Sequence, residues 1–318
     1  MVSELTASRL LSRRGVLWGA SAALAGGLFA GSPRRVLAAS ATHKAKLGAA
    51  EITIVSDGVF TLPRSLVLPD KPDADIAALF KAHGAAVEIV AETNVTVVRN
   101  GPTLAVIDTG AGPDFMPTLG KFGDRLEEAG VKPDDVTHVI FTHAHADHFW
   151  GVIDPLGDGS RWPKAKHVMA RVERDFWLVE GIEDKVPAFQ KSMATGIQRR
   201  LKELATMITV AEPGAEVAPG IALVATPGHT PGHVSIVVRS GSEELVVLGD
   251  ALTHAAVSFG APDWRWGSDI DVDVAIKTRK ALLDDLAARK VAIIGYHLPW
   301  PGLGRVERQG NAYRFVAS

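Results

Sequence analysis

The sequence predicts an α/β fold (α+β in schemes that separate the two), with helices covering the faces of mixed β-sheets. Three observations predict it. Apolar strand-like runs alternate with helical stretches along the chain after residue 48. No tandem repeat or low-complexity break interrupts them. The chain has 318 residues, 47% hydrophobic and 22% charged, which suits a substantial core in one large domain or two small ones.

The elements follow in order. Ile52–Val55 reads as a strand stopped by a turn at Ser56-Asp57-Gly58. Asp73–His83 reads as a helix, with Asp73 as its cap and Gly84 as its stop. Asn94–Arg99 and Thr103–Asp108 form a hairpin through Asn100-Gly101. Phe115–Ala129 is helical, Val136–Phe141 is a buried strand and His167–Ala170 is another. A helical region runs from Glu173 to about Leu204. Ile221–Ala225, Val234–Arg239 and Leu245–Leu248 are strands. Val272–Arg289 is the longest helix, with Asp269, Asp271 and Asp273 near its positive end. Val291–Gly295 is the last buried strand, and Val306–Val316 is a closing edge hairpin.

Residues 1–38 read as a leader. The pair Arg13-Arg14 precedes an apolar, Ala- and Gly-rich run, and small residues from Ala38 to Ala41 offer a cleavage site. This resembles a bacterial twin-arginine signal, with Val16 where that pattern prefers Phe. It implies the twin-arginine export machinery as a partner of the precursor and a periplasmic or secreted product. The alternative is a single membrane anchor, but the run is short and Gly-interrupted, below the ~18–20 strongly apolar residues a spanning helix needs, so the leader is favoured and no stable membrane insertion is expected after cleavage. Residues 39–48 read as a polar linker, and residues 49–318 as the functional domain. Formal net charge is −2, with no dense basic stretch, which argues against nucleic acid. There are no cysteines. Disulfides, thiolate nucleophiles and Cys zinc ligands are excluded, so any metal must be held by His and carboxylate.

The chemistry centres on Thr142-His143-Ala144-His145-Ala146-Asp147-His148, directly after the apolar Val139-Ile140-Phe141. Imidazole suits zinc and similar ions, and carboxylate adds charge. Alternation sends His143 and His145 the same way, while Asp147 and His148 reach a neighbouring point. One loop can thus serve two metals. The segment resembles the H-x-H-x-D-H signature of the metallo-β-lactamase superfamily. Thr226-Pro227-Gly228-His229, Leu248-Gly249-Asp250 and Gly295-Tyr296-His297 are similar to its later motifs, in order, and Val106–Gly110 to its first.

The resemblance implies an αββα sandwich with two divalent ions, zinc foremost, with manganese, cobalt or iron as alternatives. It implies that His143, His145 and His229 hold the first ion, that Asp147, His148 and His297 hold the second, and that Asp250 bridges them. It implies a bridging hydroxide as nucleophile, Asp147 and Asp250 as the catalytic carboxylates, and Asp108 as a supporting hydrogen-bond acceptor. His233 reads as a structural partner of the site, and His254 as either a neighbour of it or a packing residue.

Within the superfamily the chain resembles the secreted lactonase, arylesterase and organophosphate-hydrolase branch, the methyl parathion hydrolase type. The supporting features are the leader, Asp175-Phe176-Trp177 and the ending Gly295–Gly302. The resemblance implies a small-molecule substrate and is compatible with a homodimer. Phe149, Trp150, Trp177, Trp264 and Trp300 are pocket candidates because they flank ligand motifs. They favour a neutral, aromatic-bearing substrate: a lactone, an aryl ester or an organophosphate triester. The alternatives are β-lactam or thiolester hydrolysis, a metal-dependent redox enzyme, and a non-catalytic binding protein.

Overall fold

The computed structural model describes residues 41–156 and 159–318. The expected leader therefore lies outside the described residues. Two seven-stranded sheets make up the framework, one in the order β1-β2-β3-β4-β5-β6-β7 and the other β14-β13-β12-β11-β10-β9-β8. In chain order the strands are β1 Thr42–Leu47, β2 Ala50–Leu62, β3 Ile89–Asn100, β4 Thr103–Ile107, β5 His138–Ile140, β6 Lys166–Ala170 and β7 Ile208–Ala211. The second sheet has β8 Glu216–Ala218, β9 Ile221–Ala225, β10 Val234–Ser240, β11 Glu243–Val247, β12 Ala292–Ile294, β13 Leu303–Gln309 and β14 Ala312–Ala317. The helices are α1 Arg64–Val67, α2 Asp73–Ala82, α3 Phe122–Glu128, α4 Ala146–Phe149, α5 Arg171–Trp177, α6 Lys191–Glu203, α7 Val257–Gly260 and α8 Val272–Arg289.

Strand alternation builds the layers. Ile236 and Val238 of β10 pack with Ile107 of β4 and Ile140 of β5 in the core between the sheets. Val237 points the other way, to Leu283 and Leu286 of α8 and Phe259 of α7. On the opposite outer face, Val106 and Val139 meet Phe122 and Leu126 of α3 and Ile197 and Leu201 of α6. The result is the metallo-β-lactamase αββα sandwich, with helices outside both sheets. All seven ligand candidates fall in one unit, Ser40–Ser318.

Several local expectations change. Most of the stretch expected as a linker, 39–48, is strand, because β1 pairs antiparallel with β2 from Thr42↔Val55 to Leu47↔Ala50. The turn expected at Ser56-Asp57-Gly58 is a bulge inside β2, where the register with β3 shifts between Ser56 and Val59. The buried Asp57 carboxylate there accepts the N–H groups of Ala111, Gly120 and Phe122. The helix expected from Phe115 is confined to α3. The long helical region after Glu173 divides into α5 and α6. At α2 the N-cap is Pro72 rather than Asp73. Among the described residues no helix is long and apolar enough to cross a membrane.

Candidate metal centre

Every ligand candidate follows a strand, and all of these strand ends lie on one edge of the sandwich. β4 and β5 run parallel, as do β11 and β12, so Asp108, the His143–His148 loop, Asp250 and His297 leave their sheets in register. His229 sits in the loop from β9 to β10, beside the end of β11 because β10 pairs antiparallel with it. After Phe141 the chain stays extended through His145 (φ −58°, ψ 155°) and then turns into α4. The extended stretch carries His143 and His145, with ring centroids 4.7 Å apart, and the helical turn carries Asp147 and His148.

The structure collects these side chains into two groups, His143/His145/His229/Asp250 and Asp147/His148/His297, all buried, with the ligand-capable atoms of each group within 4.8 Å of one another. Asp250 reaches both. Its Oδ2 is 3.2 Å from His229 Nε2, and its Oδ1 is 3.1 Å from His148 Nε2 and 3.3 Å from His297 Nε2.

The protonation pattern fits cations. Asp108 Oδ2 accepts from His148 Nδ1 at 2.9 Å, Asp269 Oδ1 from His229 Nδ1 at 3.0 Å, and the Glu92 carbonyl from His297 Nδ1 at 2.6 Å. Thr142 Oγ1 gives its proton to Asp108 Oδ2, so it accepts from His143 Nδ1 at 3.0 Å. In all four neutral rings, then, Nδ1 carries the proton and Nε2 presents its lone pair to the centre. Nε2 of His143 and Nε2 of His145 are buried without a hydrogen-bond partner among the described residues. Buried acceptors converging on one point suit a divalent cation.

Without cations the charges balance internally. Burial disfavours charge on His148, but Asp250, Asp147 and Asp108 outweigh it and raise its pKa well above the usual imidazole value. The same contest, decided by Asp250 with Asp269 or Asp147, pushes His229 to about 9 and His297 to about 10. Burial raises Asp250, but His297, His148 and His229 overcome it and hold the carboxyl well below its ordinary value. Burial and neighbouring imidazoles drive His143 and His145 well down.

A further layer holds the candidates in place. Asp108 adopts φ +61°, a strained region that Asp tolerates better than most residues, and its Oδ1 also accepts Thr142 N at 2.8 Å. Arg279 Nη2 binds Asp269 Oδ2 at 2.9 Å. His233 accepts Asp250 N at Nε2, 2.9 Å, and its Nδ1 meets the Thr226 carbonyl, so it acts on the centre through Asp250. The fully buried Glu173 accepts Ala144 N, Trp177 Nε1 and Thr230 Oγ1. Glu173, Asp269 and Arg279 were not singled out from sequence. Asp269 had been read only as an acid near a helix start, whereas Asp271 is the residue whose side chain caps α8.

Over the centre lies a cleft of about 420 Å³, reaching His145 and lined by Phe60, Phe115, Met116, Trp150, Phe189 and Met193 among others. Of the aromatic pocket candidates, Trp150 lines it. Phe149 and Trp177 are fully buried in the core under α4 and α6, and Trp177 packs edge-on to His145 from inside. Trp264 is engaged by Lys71 instead, and Trp300 packs on the core between the sheets. Proximity in sequence to a ligand does not set which side of the loop a ring takes.

The family model described as the metallo-beta-lactamase superfamily matches residues 90–297. A probable metallo-hydrolase of Mycobacterium tuberculosis is 25% identical over 185 residues, 51% of this chain and 57% of that protein. An N-acyl homoserine lactonase of Bacillus cereus is 25% identical over 172 residues, 54% of this chain and 60% of that protein. The chain thus spans less than two thirds of these curated relatives. Among solved structures, the dizinc quorum-quenching lactonase AidC superposes with a TM-score of 0.82 at 27% identity, covering 88% of this chain and 98% of AidC. The hydrolase AbOPH superposes at 0.80 with 26% identity, covering 88% of this chain and 98% of its own.

Proposed function

The chain belongs to the metallo-beta-lactamase superfamily, and from that premise we propose that it is a two-metal hydrolase of lactones or aryl esters, with organophosphate triesters as a further substrate class. One observation carries the reading: two buried ligand groups meet at Asp250, and one of the ligands, His145, lines a largely apolar cleft. The lactonase neighbours support it. His143, His145, His229 and Asp250 would hold one ion, and Asp147, His148 and His297, with Asp250, the other. Two divalent cations, zinc foremost, would supply an acidified water and positive charge near the scissile group. The protein's own part is to bind, orient and exclude water. Phe60, Phe115 and Trp150 offer an apolar wall for an acyl chain or an aryl leaving group. Asp147, whose Oδ2 lies 3.2 Å from His297 Nε2, stays ionised under the pull of His148 and His297 and can accept a proton at the centre.

The test compares kcat/KM for an aromatic lactone, an acyl-homoserine lactone, a dialkyl aryl phosphate and a cephalosporin on zinc- or manganese-loaded protein. Turnover of the first two ahead of the cephalosporin is expected. Best turnover of the cephalosporin with the other three inert would overturn the reading. The same proposal includes export. Changing Arg13 and Arg14 together to Lys should retain the precursor inside the cell, and normal secretion of that variant would refute a twin-arginine route.

A further inference from the structure

Beside the main cleft, on the Asp250/His297 side of the centre, is a second cavity of about 40 Å³. It has room for roughly one water-sized group. Asp250, His297, Thr253 and His254 all line it. Two of these, Thr253 and His254, bring side-chain hydrogen-bond donors. The Thr253 hydroxyl is buried, with the residue 6% exposed, and has no hydrogen-bond partner among the described residues. His254 is held as a single tautomer. Its Nδ1 accepts the N–H groups of Ala256 at 3.3 Å and Val257 at 3.2 Å. A nitrogen that accepts carries no proton, so the neutral ring bears its proton on Nε2. The ring stacks on Phe80 (5.0 Å, 23°) and on Trp266 (6.0 Å, 23°), which fixes its plane. With Nδ1 turned to its own backbone, Nε2–H is the donor the ring has left, and His254 lines the cavity. Burial, with His83 nearby, lowers the His254 pKa to about 4, so the ring is uncharged at neutral pH.

We propose that Thr253 and His254 form an oxygen-binding pocket, in which the Thr253 hydroxyl and His254 Nε2–H donate hydrogen bonds to the scissile group's oxygen as it gathers negative charge. The proposal rests on the hydrolase reading above and assigns the small cavity to the reacting oxygen and the large cleft to the substrate's apolar part. His254 gives up no proton. A neutral imidazole N–H is too weak an acid for that, and its contribution is a hydrogen bond that strengthens as the oxygen becomes charged. Such a bond acts on kcat more than on KM.

The test uses the full metal-loaded chain with phenyl acetate and a simple γ-lactone, and the variants Thr253→Val, His254→Phe and His254→Gln. Val keeps the shape of Thr, Phe keeps the stacked ring, and Gln restores an N–H near Nε2. Thr253→Val and His254→Phe should each lower kcat about tenfold to a hundredfold with KM nearly unchanged and metal content intact. His254→Gln should recover much of that loss. Nitrogen-15 spectra of the wild type should show His254 protonated at Nε2. Unchanged kcat, a change in KM alone, a Gln variant as poor as the Phe variant, or an Nδ1-protonated ring would each overturn the proposal. Active wild type with unaffected variants would sink it alone, whereas wild type inert toward every ester and lactone would sink it together with the hydrolase reading.

Discussion

Removing the Glu173 carboxylate should loosen the metal centre from beneath without touching a ligand. Its Oε1 accepts Ala144 N at 2.9 Å and Trp177 Nε1 at 2.7 Å, and its Oε2 accepts Thr230 Oγ1 at 2.6 Å. In Glu173→Ala the threonine hydroxyl can rotate, but the two N–H groups cannot. Two buried donors left unpaired cost about 1–3 kcal/mol each, and the missing side chain adds a cavity, so the loss should exceed about 3 kcal/mol. The backbone there has little freedom to close the gap, since even a Cβ on Gly232 would lie 2.0 Å from Glu173 N. Ala144 stands between His143 and His145, and Thr230 follows His229. The same change should therefore weaken metal affinity about tenfold to a hundredfold. Glu173→Gln keeps the volume and an acceptor oxygen and should cost only about 1 kcal/mol. Urea unfolding of the metal-free protein reads the stability, and competition with a chromophoric chelator reads the affinity. An Ala variant less than about 1 kcal/mol weaker, with unchanged metal affinity, would refute the assignment of Glu173 as the buttress.

Four further outcomes are expected. Asp250→Ala removes the carboxylate facing His148, His229 and His297; metal analysis should find at least one ion lost, and activity should fall by at least about a hundredfold. Metal uptake by the metal-free protein at pH 7.5 should release protons, because His148, His229 and His297 have raised pKa values and must present unprotonated Nε2 atoms to a cation; calorimetry in buffers of different ionisation heat counts them, and zero release would contradict the electrostatics. By the same sign, the part of metal-free stability owed to His229 and His297 is fully present below the ordinary imidazole pKa and is lost as pH rises through about 9 and about 10, which urea midpoints across that range would detect. Gly196→Ala would place a Cβ 2.3 Å from Trp150 Cζ2, on a ring already covered by the Arg200 guanidinium at 3.9 Å; the displaced cleft wall should raise KM for aryl esters about tenfold with metal content intact, and an unchanged KM would remove Trp150 from the substrate wall.

The metal-ligand candidates were legible in the sequence because the feature they require is local. Each is a His or Asp placed just after a short apolar strand, so residue type and position are both readable within a few residues, and the parallel pairing of such strands brings their ends to one edge. What orients those residues is not local. His297 Nδ1 is fixed by the carbonyl of Glu92, 205 residues away, and a carbonyl has no side-chain signature. His229 is fixed by Asp269, itself held by Arg279, and in sequence that Asp cannot be told from a helix-start acid. Ser56-Asp57-Gly58 looked like a turn for a related reason: turn residues also serve a bulge, and only the three N–H groups arriving from residues 111 to 122 show which was formed. Phe149 and Trp177 were misread because a ring beside a ligand in sequence faces substrate or core according to the helical turn beneath it. The Thr253–His254 pocket shows the same limit. A Thr-His pair past a strand-end Asp is unremarkable until the backbone of Ala256 and Val257 fixes the tautomer and the fold brings both side chains to the cavity that Asp250 and His297 also line. Ligand identity can thus be read from type and spacing, whereas the groups that decide where a proton sits come from contacts the folded chain alone supplies.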